Sequence, residues 1–166
     1  MSPLPDAVEA VRLLRARGET VATAESLTGG LLCAALVDVP GASDVVVGGV
    51  VSYATRVKQQ VLEVDAGHLA AHGPVNARTA TEMVEGVRRL LGADWGVATT
   101  GVAGPGPSDG EPAGTVFVGI GGPGHPERAQ ALSLDGDRAE VRRGTVEAAL
   151  SHLVATLGES GQPPRR

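Results

Sequence analysis

Apolar positions recur along this chain in two rhythms, one helical and one strand-like, and they divide it into alternating segments. Leu4, Val8, Val11 and Leu14 share one helical face around Pro5 and Asp6, and Gly18 is placed to end that helix. Glu19 to Ala24 reads as the first strand. Leu31 to Val37 is long enough for a helix, which closes at the breaker Val39-Pro40-Gly41. Val45 to Tyr53 is β-branched on both faces, which predicts a central strand buried on both sides. Gly48 and Gly49 inside it predict a bulge or a close backbone approach.

A polar helix is predicted over Ala54 to Leu62 and a short one over Asp65 to His72, before the Gly73-Pro74 break. Asn76 can cap a long helix in which Ala80, Met83, Val84, Val87, Leu90 and Leu91 recur at helical spacing, and Gly92 stops it. Trp95 to Thr100 reads as a strand. Thr115 to Ile120 and Ala129 to Leu134 read as two more, joined by a turn over Gly121 to Pro126 and therefore antiparallel. Asp137 and Glu140 have the spacing of a capping box, and Val146, Leu150, Leu153, Val154 and Leu157 line the helix that follows. Early strand–helix alternation together with a late hairpin predicts an α/β protein with a single mixed, mostly parallel sheet and helices on both faces. No repeat and no internal boundary is visible. A single domain is expected over 1–158, with a disordered Gly/Pro/Arg-rich tail over 159–166.

Composition narrows the function classes. Aromatics make up 2% of the chain, which leaves no stacking platform for single-stranded nucleic acid, and a net charge of −5 disfavours a duplex-binding surface. No nucleic-acid partner is therefore expected. No apolar run approaches the length needed to span a membrane, and the N-terminus lacks the regions of a signal peptide. Cys33 is the single cysteine and sits in an apolar run, as a small buried thiol would. These features together predict a cytoplasmic protein without membrane association. A homo-oligomer, with a pocket completed by a neighbour, is compatible with the sequence.

Three stretches could carry chemistry. The first is Thr23-Ala24-Glu25-Ser26-Leu27-Thr28-Gly29-Gly30, where a strand hands over to a helix. The free N–H groups of a helix start can hold an anion or an oxyanion, and Gly29 and Gly30 allow close approach of a ligand. Ser26 there reads either as a helix cap or as a nucleophile. A nucleophilic serine needs a base. His68, His72, His125 and His152 show neither triad-like partners nor zinc-ligand spacing. Lys58 is the only lysine beside thirteen arginines, and a lysine with a lowered pKa can take a proton where arginine cannot. Tyr53, the only tyrosine, lies five residues before it and could relay a proton or simply pack.

The second stretch is Thr99-Thr100-Gly101-Val102-Ala103-Gly104-Pro105, whose glycines can turn backbone N–H groups towards a phosphate without forming a Walker motif. The third is Gly136-Asp137-Arg138, with Arg142 one turn further along the same helix face, a pairing suited to phosphate or carboxylate.

Taken in order, Thr23-Ala24-Glu25-Ser26-x-Thr28-Gly29-Gly30, Val51-Ser52-Tyr53 with Lys58, Thr100-Gly101-Val102-Ala103-Gly104-Pro105, Pro112-x-Gly114-Thr115-Val116 and Gly136-Asp137-Arg138 resemble the CinA C-terminal domain family, the nicotinamide-nucleotide amidohydrolases of the PncC type. The resemblance runs from about Ala7 to Leu157. It implies a three-layer α/β/α fold and hydrolysis of nicotinamide mononucleotide (NMN) to nicotinate mononucleotide and ammonia, with no metal or organic cofactor. By position it implies Ser26 as nucleophile, with Tyr53 and Lys58 as its partners. Thr28, Gly29, Gly30, Thr100, Gly101, Ala103, Gly104, Arg138 and Arg142 are then the expected substrate-binding residues. The family commonly has cysteine after the motif serine; Leu27 stands there instead and is expected to pack. Some members carry an additional N-terminal domain related to molybdopterin-binding proteins, so this chain resembles the stand-alone form. A non-catalytic nucleotide- or phosphate-binding module of the same fold is the alternative expectation.

Overall fold

The computed structural model describes residues 2–159, so residues 160–166 of the expected tail lie outside the described residues. In chain order the elements are α1 (Pro5–Arg17), β1 (Val21–Glu25), α2 (Leu31–Val37), β2 (Val46–Val51), α3 (Thr55–Leu62), α4 (Ala66–His72), α5 (Ala77–Leu91), β3 (Trp95–Gly101), β4 (Thr115–Gly122), β5 (His125–Ser133) and α6 (Arg138–Glu159). The five strands form one sheet in the order β2-β1-β3-β4-β5. β1 pairs in parallel with β2 and β3, whereas β4 is antiparallel to both β3 and β5. Four strands therefore run one way and only β4 is reversed, a mixed and mostly parallel sheet.

Two apolar layers sandwich the sheet. On one face Ala7, Val11 and Leu14 of α1, Leu32 and Leu36 of α2, and Leu150, Leu153 and Leu157 of α6 are buried in one cluster. On the other, Leu62 of α3, Leu69 of α4 and Met83, Val84 and Val87 of α5 form the second. The architecture is three-layer α/β/α. Each leucine- or valine-sized side chain buried this way contributes about 1.5–3 kcal/mol, which a core almost without aromatics needs in number. Trp95 is the exception: it is fully buried and its indole N–H donates to Glu19 at 2.7 Å.

The sequence signals at element ends act as expected. Asn76 Oδ1 accepts from Thr79 N at 2.9 Å to start α5. Asp137 and Glu140 exchange bonds of 2.8 and 2.7 Å at the start of α6. The strand at Val46–Val51 departs from expectation, because it lies at the sheet edge and not at its centre. Val47 and Val51 are 45% and 50% exposed. β-branching on both faces registers strand propensity, but which strand is central depends on pairings distant in sequence. The glycines within β2 do serve both expected purposes. The register against β1 skips one residue at Val47, and a Cβ on Gly49 would collide with Thr23 Oγ1 on the neighbouring strand. The hairpin strands also run longer than expected, from Thr115 to Gly122 and from His125 to Ser133, leaving only Pro123 and Gly124 as the turn.

The connections fix where a site can form. β1 leads to β2 through α2 on one face, and β2 leads back past β1 to β3 through α3, α4 and α5 on the other. This reversal opens a crevice at the carboxyl ends of β1 and β3, the switch point where open α/β sheets bind ligands. β5 ends at the same edge, so α6 begins there and brings Arg138 to it.

Candidate active site

A cavity of about 370 Å³ occupies this crevice. Its walls come from the ends of all three parallel-paired strands: Ser26 and Leu27 after β1, Tyr53 after β2, and Thr100 to Asp109 at and after β3. Thr55 and Lys58 of α3, the Pro74–Val75 turn and Arg138 complete the lining.

Ser26 extends the sheet by one bond, its N–H donating to Thr99 O at 2.9 Å, and the chain then turns sharply. Lys58 Nζ lies 2.9 Å from Ser26 Oγ. It also donates to the carbonyls of Ser52 at 2.7 Å and Tyr53 at 3.3 Å. The Lys58 side chain is 1% exposed and has no carboxylate within ion-pair distance among the described residues. Burial lowers its pKa to about 8, and the charge of Asp109 opposes that fall. Three oxygens, the two carbonyls and the serine hydroxyl, surround Nζ; a neutral amine would keep two N–H groups on the carbonyls and turn its lone pair to the hydroxyl.

The start of α2 differs from the expected open anion site. The buried carboxylate of Glu25 accepts Leu32 N at 2.8 Å and Cys33 N at 3.0 Å, so it caps the helix from the preceding strand. Thr23 Oγ1 donates to the same carboxylate at 3.2 Å. Gly29 N donates to Ser26 O at 3.1 Å, and Thr28 Oγ1 pairs with Thr99 Oγ1 at 2.7 Å. Thr28, Gly29 and Gly30 therefore build the turn that holds Ser26 and do not line the cavity. The capping that Ser26 could have supplied belongs to Glu25. Proton-transfer geometry and helix capping are divided between adjacent residues.

The two arginines of α6 also part company. Arg138 lines the cavity, donating to Gly104 O at 2.7 Å and to the Tyr53 hydroxyl at 3.0 Å. Arg142 instead reaches the Ser26 turn, donating to Leu27 O at 2.9 Å and Thr28 O at 3.2 Å. Helical spacing puts both on one face, but what each meets depends on the loop opposite. Tyr53 is 60% exposed, and its hydroxyl is occupied by Arg138 while its backbone carbonyl serves Lys58. Thr100, Gly101, Ala103 and Gly104 line the cavity. Thr100 Oγ1 is tied to Pro74 O at 2.7 Å. Leu27 combines two roles: it is buried in the α1/α2/α6 core and its edge reaches the cavity.

Sequence reasoning passed over Ser52, Asp109 and the capping role of Glu25. Ser52 acts through its carbonyl, which any residue possesses, so no side-chain signal marks it. Asp109 sits in a polar loop and is recognisable only once that loop folds over the cavity.

A serine–lysine pair at the carboxyl edge of a mixed α/β/α sheet defines the class of protein. Residues 5–157 match the CinA C-terminal domain family, to which the chain belongs. Its relatives include a CinA-like protein of Frankia casuarinae, 52% identical over 83% of this chain, and a CinA-like protein of Anaeromyxobacter dehalogenans, 49% identical over 93%. The chain spans about a third of the length of these curated relatives, 32% and 37% respectively. Among solved structures, the CinA superfamily protein KP700603 of Klebsiella pneumoniae superposes with a TM-score of 0.88 at 37% identity, covering 93% of this chain and 96% of that one. The corresponding superfamily protein of Escherichia coli gives 0.87 at 30% identity, covering 91% and 88%. No helix among the described residues is long and apolar enough to cross a membrane.

Proposed function

We propose that this protein hydrolyses the carboxamide of NMN to nicotinate mononucleotide and ammonia. The observation that carries the chemistry is the buried 2.9 Å contact between Lys58 Nζ and Ser26 Oγ. The choice of NMN rests on the motif resemblance set out above. In the first half-reaction Ser26 Oγ attacks the carboxamide carbon as its proton passes to Lys58 Nζ. Lys58 then returns that proton to the departing nitrogen, the C–N bond breaks, ammonia leaves and an ester to Ser26 remains. Water, losing its proton to Lys58, attacks the ester; the C–O bond to Ser26 breaks and Lys58 restores the serine hydroxyl. Leu27 follows the nucleophile directly, and its N–H is the donor assigned to the oxyanion. Arg138 and the Gly101–Gly106 loop are assigned to the 5′-phosphate, because Arg142 is committed to the Ser26 turn.

The test is ammonia release from NMN by the purified chain, with and without EDTA, beside Ser26→Ala. Turnover that resists EDTA and falls at least about a thousandfold in Ser26→Ala, with NMN still bound, is the expected result. Near-wild-type turnover in Ser26→Ala removes the nucleophile assignment. Binding of NMN by the native chain without any ammonia would instead identify a nucleotide-binding module.

A further inference from the structure

Among the described residues the cavity lining contains three charged side chains, Lys58, Arg138 and Asp109, of which Asp109 alone is acidic. The chain places it there deliberately in a physical sense. The loop after β3 folds back as a narrow hairpin in which Ser108 and Glu111 exchange backbone bonds of 3.0 and 2.9 Å. Asp109 occupies its tip with a left-handed φ of 53°, a conformation aspartate tolerates better than most residues. Ser108 Oγ donates to Asp109 Oδ2 at 3.2 Å. Among the described residues no cation lies within ion-pair distance of the Asp109 carboxylate. Its field nevertheless reaches Lys58 at the reacting centre.

Such a group has an electrostatic preference and, beyond the neutral Ser108 hydroxyl, no cationic partner among the described residues to satisfy it. On the NMN reading above, the ring attached to the reacting carbonyl is a pyridinium and carries a positive charge. Its phosphate, at the far end of the ligand, is negative. We infer that Asp109 is a specificity-determining residue that selects the cationic ring, with Arg138 taking the phosphate at the opposite end. Once the ligand excludes water from the cavity, the attraction between carboxylate and pyridinium is screened less than on an open surface. A neutral ring of the same shape would keep the phosphate and carboxamide contacts and lose only this one.

Equilibrium binding to the full chain tests this without requiring turnover. The ligands are NMN and its neutral isostere, in which a benzene ring joined through carbon replaces the pyridinium. The native chain is expected to bind NMN at least about fivefold more tightly than the isostere, as one screened ion pair allows. Asp109→Asn should bring the two affinities within about twofold by weakening NMN alone, and Asp109→Glu should keep the preference. An unchanged ratio in Asp109→Asn, or no preference in the native chain, overturns the inference. A charge preference that Asp109→Asn removes, in a chain that releases no ammonia, leaves the inference standing and sinks the hydrolysis. A native chain that binds neither ligand overturns both.

Discussion

Lys58 Nζ meets Ser26 Oγ at 2.9 Å, although 32 positions, with helix α2 and strand β2 among them, separate the two in the chain. Ser26 ends the inner strand β1, and Lys58 rises from the helix after its edge neighbour β2. The parallel pairing of Glu25 with Val51 puts both strand ends at one level, and the first turn of α3 then tucks the lysine beneath the serine. Among the described residues neither side chain forms an ion pair, and Asp109 acts on Lys58 only through its charge.

Activity should follow the ionisation of Lys58. The amine accepts a proton only when neutral, and its pKa is lowered to about 8. The rate constant kcat/KM for NMN is expected to rise with pH up to a plateau, with an apparent pKa of about 8. Lys58→Arg keeps a cation but cannot deprotonate, and should lower kcat by about 100-fold or more at every pH. A flat profile between pH 6 and 9 in the native protein would exclude Lys58 as the base.

Stability should respond to the same group with a definite sign. Lys58 is protonated below 10.5 in the unfolded chain but only below about 8 in the folded one. Between these values the unfolded state binds more protons, so folding becomes more favourable as pH rises through that window. The gain is on the order of 3 kcal/mol, and it is lost again as pH falls through the folded value. Denaturant unfolding at pH 7.5 and pH 10 measures it. Lys58→Met should lack the lysine's share of the rise, and an identical pH dependence in the two proteins would contradict the burial argument.

Arg142 should affect rate more than affinity. It holds the carbonyls of Leu27 and Thr28 and does not line the cavity. Arg142→Lys cannot reproduce the two-pronged contact, so Ser26 would be held less firmly. A fall in kcat of about tenfold or more is expected, with KM for NMN changed by no more than about twofold. Steady-state kinetics distinguish this from phosphate binding, for which KM would rise instead.

Glu25 should prove a determinant of stability. Its buried carboxylate accepts two helix amides and one hydroxyl. Glu25→Gln turns one acceptor oxygen into a donor that faces N–H groups already there, at a cost of about 1–3 kcal/mol. Thermal or denaturant unfolding should show the loss directly. Unchanged stability would mean that α2 is held by packing alone.

Much of the architecture was legible because it rests on local chemistry. The α1, α2, α3 and α5 segments, the Asn76 cap and the Asp137–Glu140 box follow from apolar period and from residues with one dominant use at a helix end. Ser26 and Lys58 could be named as candidates, the first from its strand-to-helix setting and the second from its solitude among arginines. The site's internal division of labour was not legible. Glu25, Thr28, Arg138 and Arg142 are all polar residues near element ends, and local sequence gives each several equally good uses.

The sequence by itself determined which segments are helix and strand, how they end, and which side chains are chemically able to transfer a proton. These properties depend on neighbours a few residues away. The tertiary structure decided that β2 lies at the edge, that Glu25 rather than Ser26 caps α2, and that Arg138 faces the cavity while Arg142 braces the turn. It also decided that Lys58 is buried deeply enough for its pKa to fall to about 8. Each of these depends on which distant segment arrives opposite, and burial, the cause of the lowered pKa, exists only once the layers have closed.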